Sequence, residues 1–190
     1  MPTLLAGMVL FFAAHSLAIG APSLRAGLIA RLGAGGYKGV SALVSLVGLW
    51  LIVRGFGAAR PDSTVLYDPP TWMRHVVLAL MLPVLPLLVA AQLKGHIRAR
   101  LKHPMLVAVK LWAVAHLLAN GKLADLVLFG GFLAWAVIDR ISLKRRPDTR
   151  PPVSAPSVLH DAIAVVAGIV LYVLLVTGWH LRLFGVSPLG

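Results

Sequence analysis

Six apolar runs of sixteen to twenty-two residues, separated by short charged or turn-forming gaps, set the limits on how this chain folds. They are Leu4–Ile19, Val40–Gly57, Trp72–Leu93, Pro104–Ala119, Leu123–Ile138 and Leu159–Trp179. A helix crosses the ~30 Å hydrocarbon layer with about 20 predominantly apolar residues. Composition agrees: the chain is 59% hydrophobic and only 13% charged, whereas a soluble domain is about one quarter charged. The expected class is an all-α integral membrane protein, a bundle of about six transmembrane helices.

The formal net charge of +12 raises nucleic acid as a partner. The cations, however, lie in gaps between apolar runs rather than on one basic face with interleaved aromatics, so nucleic acid is set aside. Twelve Lys and Arg fall in the loops after spans one, three and five, against five on the opposite face. The cytoplasmic side carries the excess, which puts both termini outside the cytoplasm. Trp50, Trp72 and Trp179 then sit at the outer boundary, as an aromatic belt. No Lys or Arg precedes Leu4–Ile19, so this run reads as a retained span rather than a signal peptide. With no cysteine, disulfides, iron–sulfur clusters and thiolate haem ligation are closed to the chain.

Along the chain, Pro22 ends the first span and Ser23–Leu32 forms a short amphipathic piece whose Arg25 and Arg31 suit the headgroup level. GAGGYKG, Gly33–Gly39, is expected to break the chain before span two. In that span Ser41, Ser45 and Gly48 make a small-residue face for close packing. Arg60–Pro70 is a polar loop. Pro83 and Pro86 kink span three, either opening a ligand pocket or making a packing bend. The basic loop Lys94–Lys102 leads into a hairpin of spans four and five joined at Asn120-Gly121. Residues 1–146 make one membrane domain, 147–158 a polar Pro-rich linker, and 159–190 the sixth span with its tail.

Polar groups within apolar spans need an explanation. His15 lies in span one with Met8, Phe11 and Phe12; His116 lies in span four with Met105, Val109 and Trp112. A buried imidazole is hydrogen-bonded helix glue, a proton carrier or a metal ligand. Two of them on separate helices beside apolar faces are also what a b-type haem requires. At about 1.5 Å per residue their depths differ by roughly 8 Å, a gap that side chains and tilt bridge. His75, at the outer boundary, is an alternative to His15. His103, beside Lys102 and before Pro104, suits a propionate or phosphate. Lys110 either snorkels or pairs with a ligand carboxylate or Asp139. No nucleotide-binding loop, HExxH or framed serine nucleophile occurs, so hydrolase and ATPase readings lack support and no catalytic residue is assigned.

The segments HSLAIGAPSLRAGLIARLG, YKGVSALVSLVGLWLIVRG, KHPMLVAVKLWAVAHLLANG and DRISLKRR resemble the bacterial NnrU family over about Leu4–Arg146. That family is associated with denitrification, the metabolism of nitrite and nitric oxide. The pattern is also similar to the 15-cis-zeta-carotene isomerase family of haem b membrane enzymes: His15-Ser16, Ala115-His116 and Lys102-His103-Pro104 match its motifs. This resemblance implies haem b held by His15 and His116; His103, Lys110 and Trp112 are the further residues expected at such a cofactor. Ala113 stands where that family has a cysteine implicated in ligand switching, so thiolate switching is unavailable here. A fainter likeness joins His103-Pro104 and Asp139-Arg140 to isoprenylcysteine-type methyltransferases, with Leu106 in place of a motif tyrosine. The partners implied are the lipid bilayer, a hydrophobic or nitrogen-oxide ligand and a second copy of the chain.

Overall fold

The computed structural model describes residues 1–146 and 155–189. Among these, regular structure is helical throughout, apart from one isolated antiparallel bridge between Val65 and Lys122. The helices are α1 (Pro2–Gly20), α2 (Pro22–Ala59), α3 (Met73–Met81), α4 (Val84–Ala90), α5 (His96–Leu101), α6 (Pro104–Ala119), α7 (Leu123–Arg145), α8 (Val158–Leu174) and α9 (His180–Phe184). One π-helical turn, Leu175–Trp179, joins the last two. Five stretches are long and apolar enough to cross a membrane: Pro2–Gly20, Pro22–Ala59, Met73–Ala90, Leu123–Arg145 and Val158–Phe184. Pro104–Ala119 is a shorter apolar helix. Large apolar side chains point outward, Leu43 and Leu46 each at 64% exposure and Trp50 at 61%. In water such a surface drives association; against lipid tails it is the ordinary outer face of a spanning helix.

The chain forms two compact units, Met1–Leu66 with Lys122–Arg145, and Tyr67–Gly121 with Arg146–Gly190. In the first, α1 and α2 pack backbone to backbone through glycine. A Cβ on Gly55 would lie 2.3 Å from the Leu4 nitrogen, one on Gly7 2.6 Å from the Ile52 nitrogen, and one on Gly48 2.9 Å from the Phe11 nitrogen. The small-residue face read at Ser41, Ser45 and Gly48 therefore continues to Gly55. Ser45 turns its hydroxyl into its own helix, donating to the Ser41 carbonyl at 2.7 Å. Helix α7 packs on α1 where Gly131 admits the Met8 side chain.

The glycine run did not break the helix as expected. Only Gly33 leaves helical geometry (φ 70°, ψ 165°), and the chain is helical on both sides of it. A glycine costs a helix interior about 1 kcal/mol, a weak preference that the neighbouring helical turns override at Gly35, Gly36 and Gly39. The Gly33 kink is sharp. Arg25 lies 5.5 Å from the centre of the Tyr37 ring, whereas a straight helix would separate them by about 18 Å. The chain is thus bent at Gly33, with Arg25 and Tyr37 meeting across the bend.

In the second unit the third apolar run is two helices, interrupted at Leu82-Pro83. Proline lacks the N–H for the helical ladder, so the break falls there. The bend is a packing one: α8 lies on α4, and Gly168 sits so close that a Cβ would be 2.3 Å from the Pro86 nitrogen. Tyr172 on α8 donates its hydroxyl to the Leu78 carbonyl at 3.0 Å, just before the break. Helix α7 runs to Arg145, beyond the expected end at Ile138, because no proline or glycine stops it before Pro147. Of the Pro-rich linker, residues 147–154 lie outside the described residues.

Candidate functional site

His15 is set by its own helix turn. Its ring stacks on Phe11, one turn earlier, with centroids 4.1 Å apart and planes inclined by 24°. Its Nδ1 lies 2.8 Å from the Phe11 carbonyl oxygen. A carbonyl only accepts, so Nδ1 carries the proton in the neutral ring and the lone pair is on Nε2. From α7, Trp135 meets the imidazole edge-on at 5.8 Å. The Trp135 indole N–H donates to Ser16 Oγ at 3.2 Å, and Phe12 and Phe132 close the cluster. The aromatic side chains recur at helical spacing on both helices (Phe11 to His15, Phe132 to Trp135), which is why they meet.

His116, in the second unit, repeats this local arrangement. Its Nδ1 is 2.8 Å from the Trp112 carbonyl, one turn back. The Trp112 ring lies 5.2 Å away at 48°. His116 is half-buried, and Asn120 Nδ2 donates to its backbone carbonyl at 2.9 Å. His75 is exposed at the start of α3, with Nδ1 3.1 Å from the Trp72 carbonyl. For a metal-bound histidine the usual orientation is the same: one ring nitrogen donates to a carbonyl and the other faces the metal. In each of the three, Nδ1 takes the carbonyl-facing orientation. His15 belongs to one unit, and His75 and His116 to the other.

On α6 the remaining candidates are spread along the axis. His103 is buried to 9% exposure and precedes the helix at Pro104, after Lys102 at φ 59°. It stands about 20 Å along the axis from His116, and half-buried Lys110 about 9 Å. Ala113, where a ligand-switching cysteine would fall, is wholly buried. An apolar groove of about 400 Å³ runs beside α6, lined by Tyr67, Asp68, Pro69, Pro70, Met73, Val114, Leu117 and Leu118. Tyr67 closes the end of α6 with its hydroxyl directed at the Leu117 and Asn120 carbonyls. Among the described residues, no group of three or more His, Asp or Glu is placed to hold a metal ion.

Two carboxylates that sequence reasoning passed over organise the ends of the units. Asp125, 1% exposed, accepts from Arg60 Nε and from the Lys122 backbone N–H, each at 3.1 Å. Lys122 Nζ donates in turn to the Arg60 and Pro61 carbonyls at 3.0 Å, and Ser63 Oγ accepts the Ala124 N–H at 2.8 Å. Thus Asp125 caps the start of α7 while Lys122 caps the end of α2, each charge opposite to the helix end it meets. In the other unit Asp161 accepts from the backbone N–H groups of His96 (2.8 Å) and Ile97 (3.0 Å), and from His96 Nδ1 (2.9 Å). The readable signal at both was an acidic residue in the first turn of an apolar helix.

Several apolar helices of membrane length, two of them packed closely through glycine, place the chain in the class of helical membrane proteins. The chain belongs to the NnrU family: that family's profile, described as NnrU protein, matches residues 3–188 and so takes in the sixth apolar run. No curated protein and no solved structure matches the chain.

Proposed function

We propose that this NnrU protein binds haem b in the bacterial inner membrane, with His15 and His116 as axial ligands and both termini on the periplasmic side, and acts in nitrite and nitric oxide metabolism. The observation that carries the reading is the repeated imidazole geometry. Both rings donate Nδ1–H to the carbonyl one turn back, the orientation that a ligating histidine takes. Haem, when bound, supplies a redox-active iron with an apolar macrocycle. The chain's own residues orient: Phe11 stacks on the exposed His15 ring and Trp135 meets it edge-on, and Trp112 lies against His116. Lys110 is the cation nearer to His116 for a propionate, with His103 farther along the same helix. The groove beside α6 suits a hydrophobic ligand. Isomerase chemistry that depends on thiolate switching is closed by Ala113.

The test is the absorbance spectrum of protein purified from haem-replete cells. A Soret band is expected in the wild type, lost in His15→Ala and in His116→Ala and kept in His75→Ala. A wild type without the band, or single variants with unchanged haem content, overturns the reading in favour of a cofactor-free accessory protein.

A further inference from the structure

The helix α5 carries four cations in and beside six residues, in the order Lys94, Arg98, Arg100, Lys102. It joins two apolar helices, α4 and α6, and so stands at the end of the apolar layer. Its apolar residues are Ile97 and Leu101, one turn apart, with Leu101 38% exposed. At 3.6 residues per turn, Arg100 falls about 60° to one side of this pair and Arg98 about 60° to the other. This is the pattern of a helix that dips an apolar stripe into lipid while flanking arginines reach headgroup phosphates.

Two further observations separate this segment from an ordinary charged loop. First, among the described residues no carboxylate pairs with Lys94, Arg98 or Arg100, although Arg60 and His96 have such partners. The neighbouring carboxylate, Asp161, is already committed to two backbone N–H groups and the His96 ring. Second, the segment is held in place. Asp161 fixes its start, the Lys94 carbonyl accepts from the Ser157 N–H at 3.0 Å, and a Cβ on Gly95 would lie 2.1 Å from Asp161 Oδ1. An anchored helix whose guanidinium groups meet no carboxylate among the described residues presents a preorganised charge surface.

We propose that α5 is a docking surface for an anionic phospholipid, with Arg98 and Arg100 on its phosphate and Leu101 against its acyl chain. This proposal is independent of the haem reading. The full-length protein is reconstituted in nanodiscs of phosphatidylcholine, with or without phosphatidylglycerol. Melting temperature is read in the discs, and retained lipid by native mass spectrometry after release into detergent. The wild type is expected to retain phosphatidylglycerol over phosphatidylcholine and to melt several degrees higher in its presence. In Arg98→Gln/Arg100→Gln, retention falls roughly tenfold or more and the two melting temperatures coincide. Lys144→Gln/Arg145→Gln, with two cations removed elsewhere, keeps the wild-type response, and inorganic phosphate does not reproduce the rise. Indifference of the wild type to lipid charge overturns the proposal even if the double variant fails to fold. So does full retention by the α5 variant, an equal loss in the control, or a phosphate effect as large as that of the lipid.

Discussion

Asp125 in one unit and Asp161 in the other each accept backbone N–H groups at the start of a helix and tie a distant loop to it, yet their surroundings differ. Asp125 is 1% exposed and meets an arginine, whose charge is permanent. Asp161 is 18% exposed and meets a histidine that is itself 45% exposed. Asp125 caps its own helix α7 from within the first turn, with Lys122 completing an exchange of charge between two helix ends. Asp161 reaches from α8 to cap α5, a helix of another chain segment. The comparison separates two ways of placing a carboxylate near lipid: bury it with a fixed counter-charge, or keep it partly wet and let backbone donors hold it.

The largest effect is expected at the buried member. Asp125→Ala removes the acceptor of Arg60 Nε and of the Lys122 N–H, and breaking a buried pair from one side costs about 3 kcal/mol or more. Denaturant titration in mixed micelles measures it, and a loss below 1 kcal/mol would mean that water already screens the pair. Next comes Gly168→Ala, whose methyl meets the Pro86 backbone rather than a movable side chain; about 2 kcal/mol is expected in the same titration. Asp161→Ala removes three hydrogen bonds at a wetter site and should cost about 1–2 kcal/mol. Its signature is faster hydrogen exchange at the His96 and Ile97 amides, with the Lys122 and Ala124 amides unchanged. Tyr172→Phe is the smallest, about 1 kcal/mol for a single neutral hydrogen bond. If Asp161→Ala proved as damaging as Asp125→Ala, exposure would not be what distinguishes the two carboxylates.

Much of the helical outline was legible before any coordinates, because apolar run length and bilayer thickness leave few alternatives. Pro104–Ala119 has the expected bounds, and Gly121, just after it, is a tight point where a Cβ would strike the Tyr67 carbonyl. The Gly33 kink within a continuing helix was not legible, since propensities measured in water count glycine as a breaker. Nor was the extent of α7, whose charged last turn looks like a loop until one notes that nothing interrupts it. At the candidate site, helical spacing brought Phe11 beside His15 and Trp112 beside His116. It could not bring Trp135 to His15, a contact fixed by packing of α1 on α7. The two carboxylates were missed because attention fell on polar residues inside the apolar runs, whereas these stand at the first turn, where capping decides their role.

The contacts of α8 with the proline-interrupted helix fall on both sides of the gap: Tyr172 holds the Leu78 carbonyl before it and Gly168 abuts Pro86 after it. A hinge at that gap would pull the tyrosine from its carbonyl or prise the glycine from the proline ring. The sixth apolar segment therefore serves as a splint that spans the gap between α3 and α4, whose backbone ladders are separate.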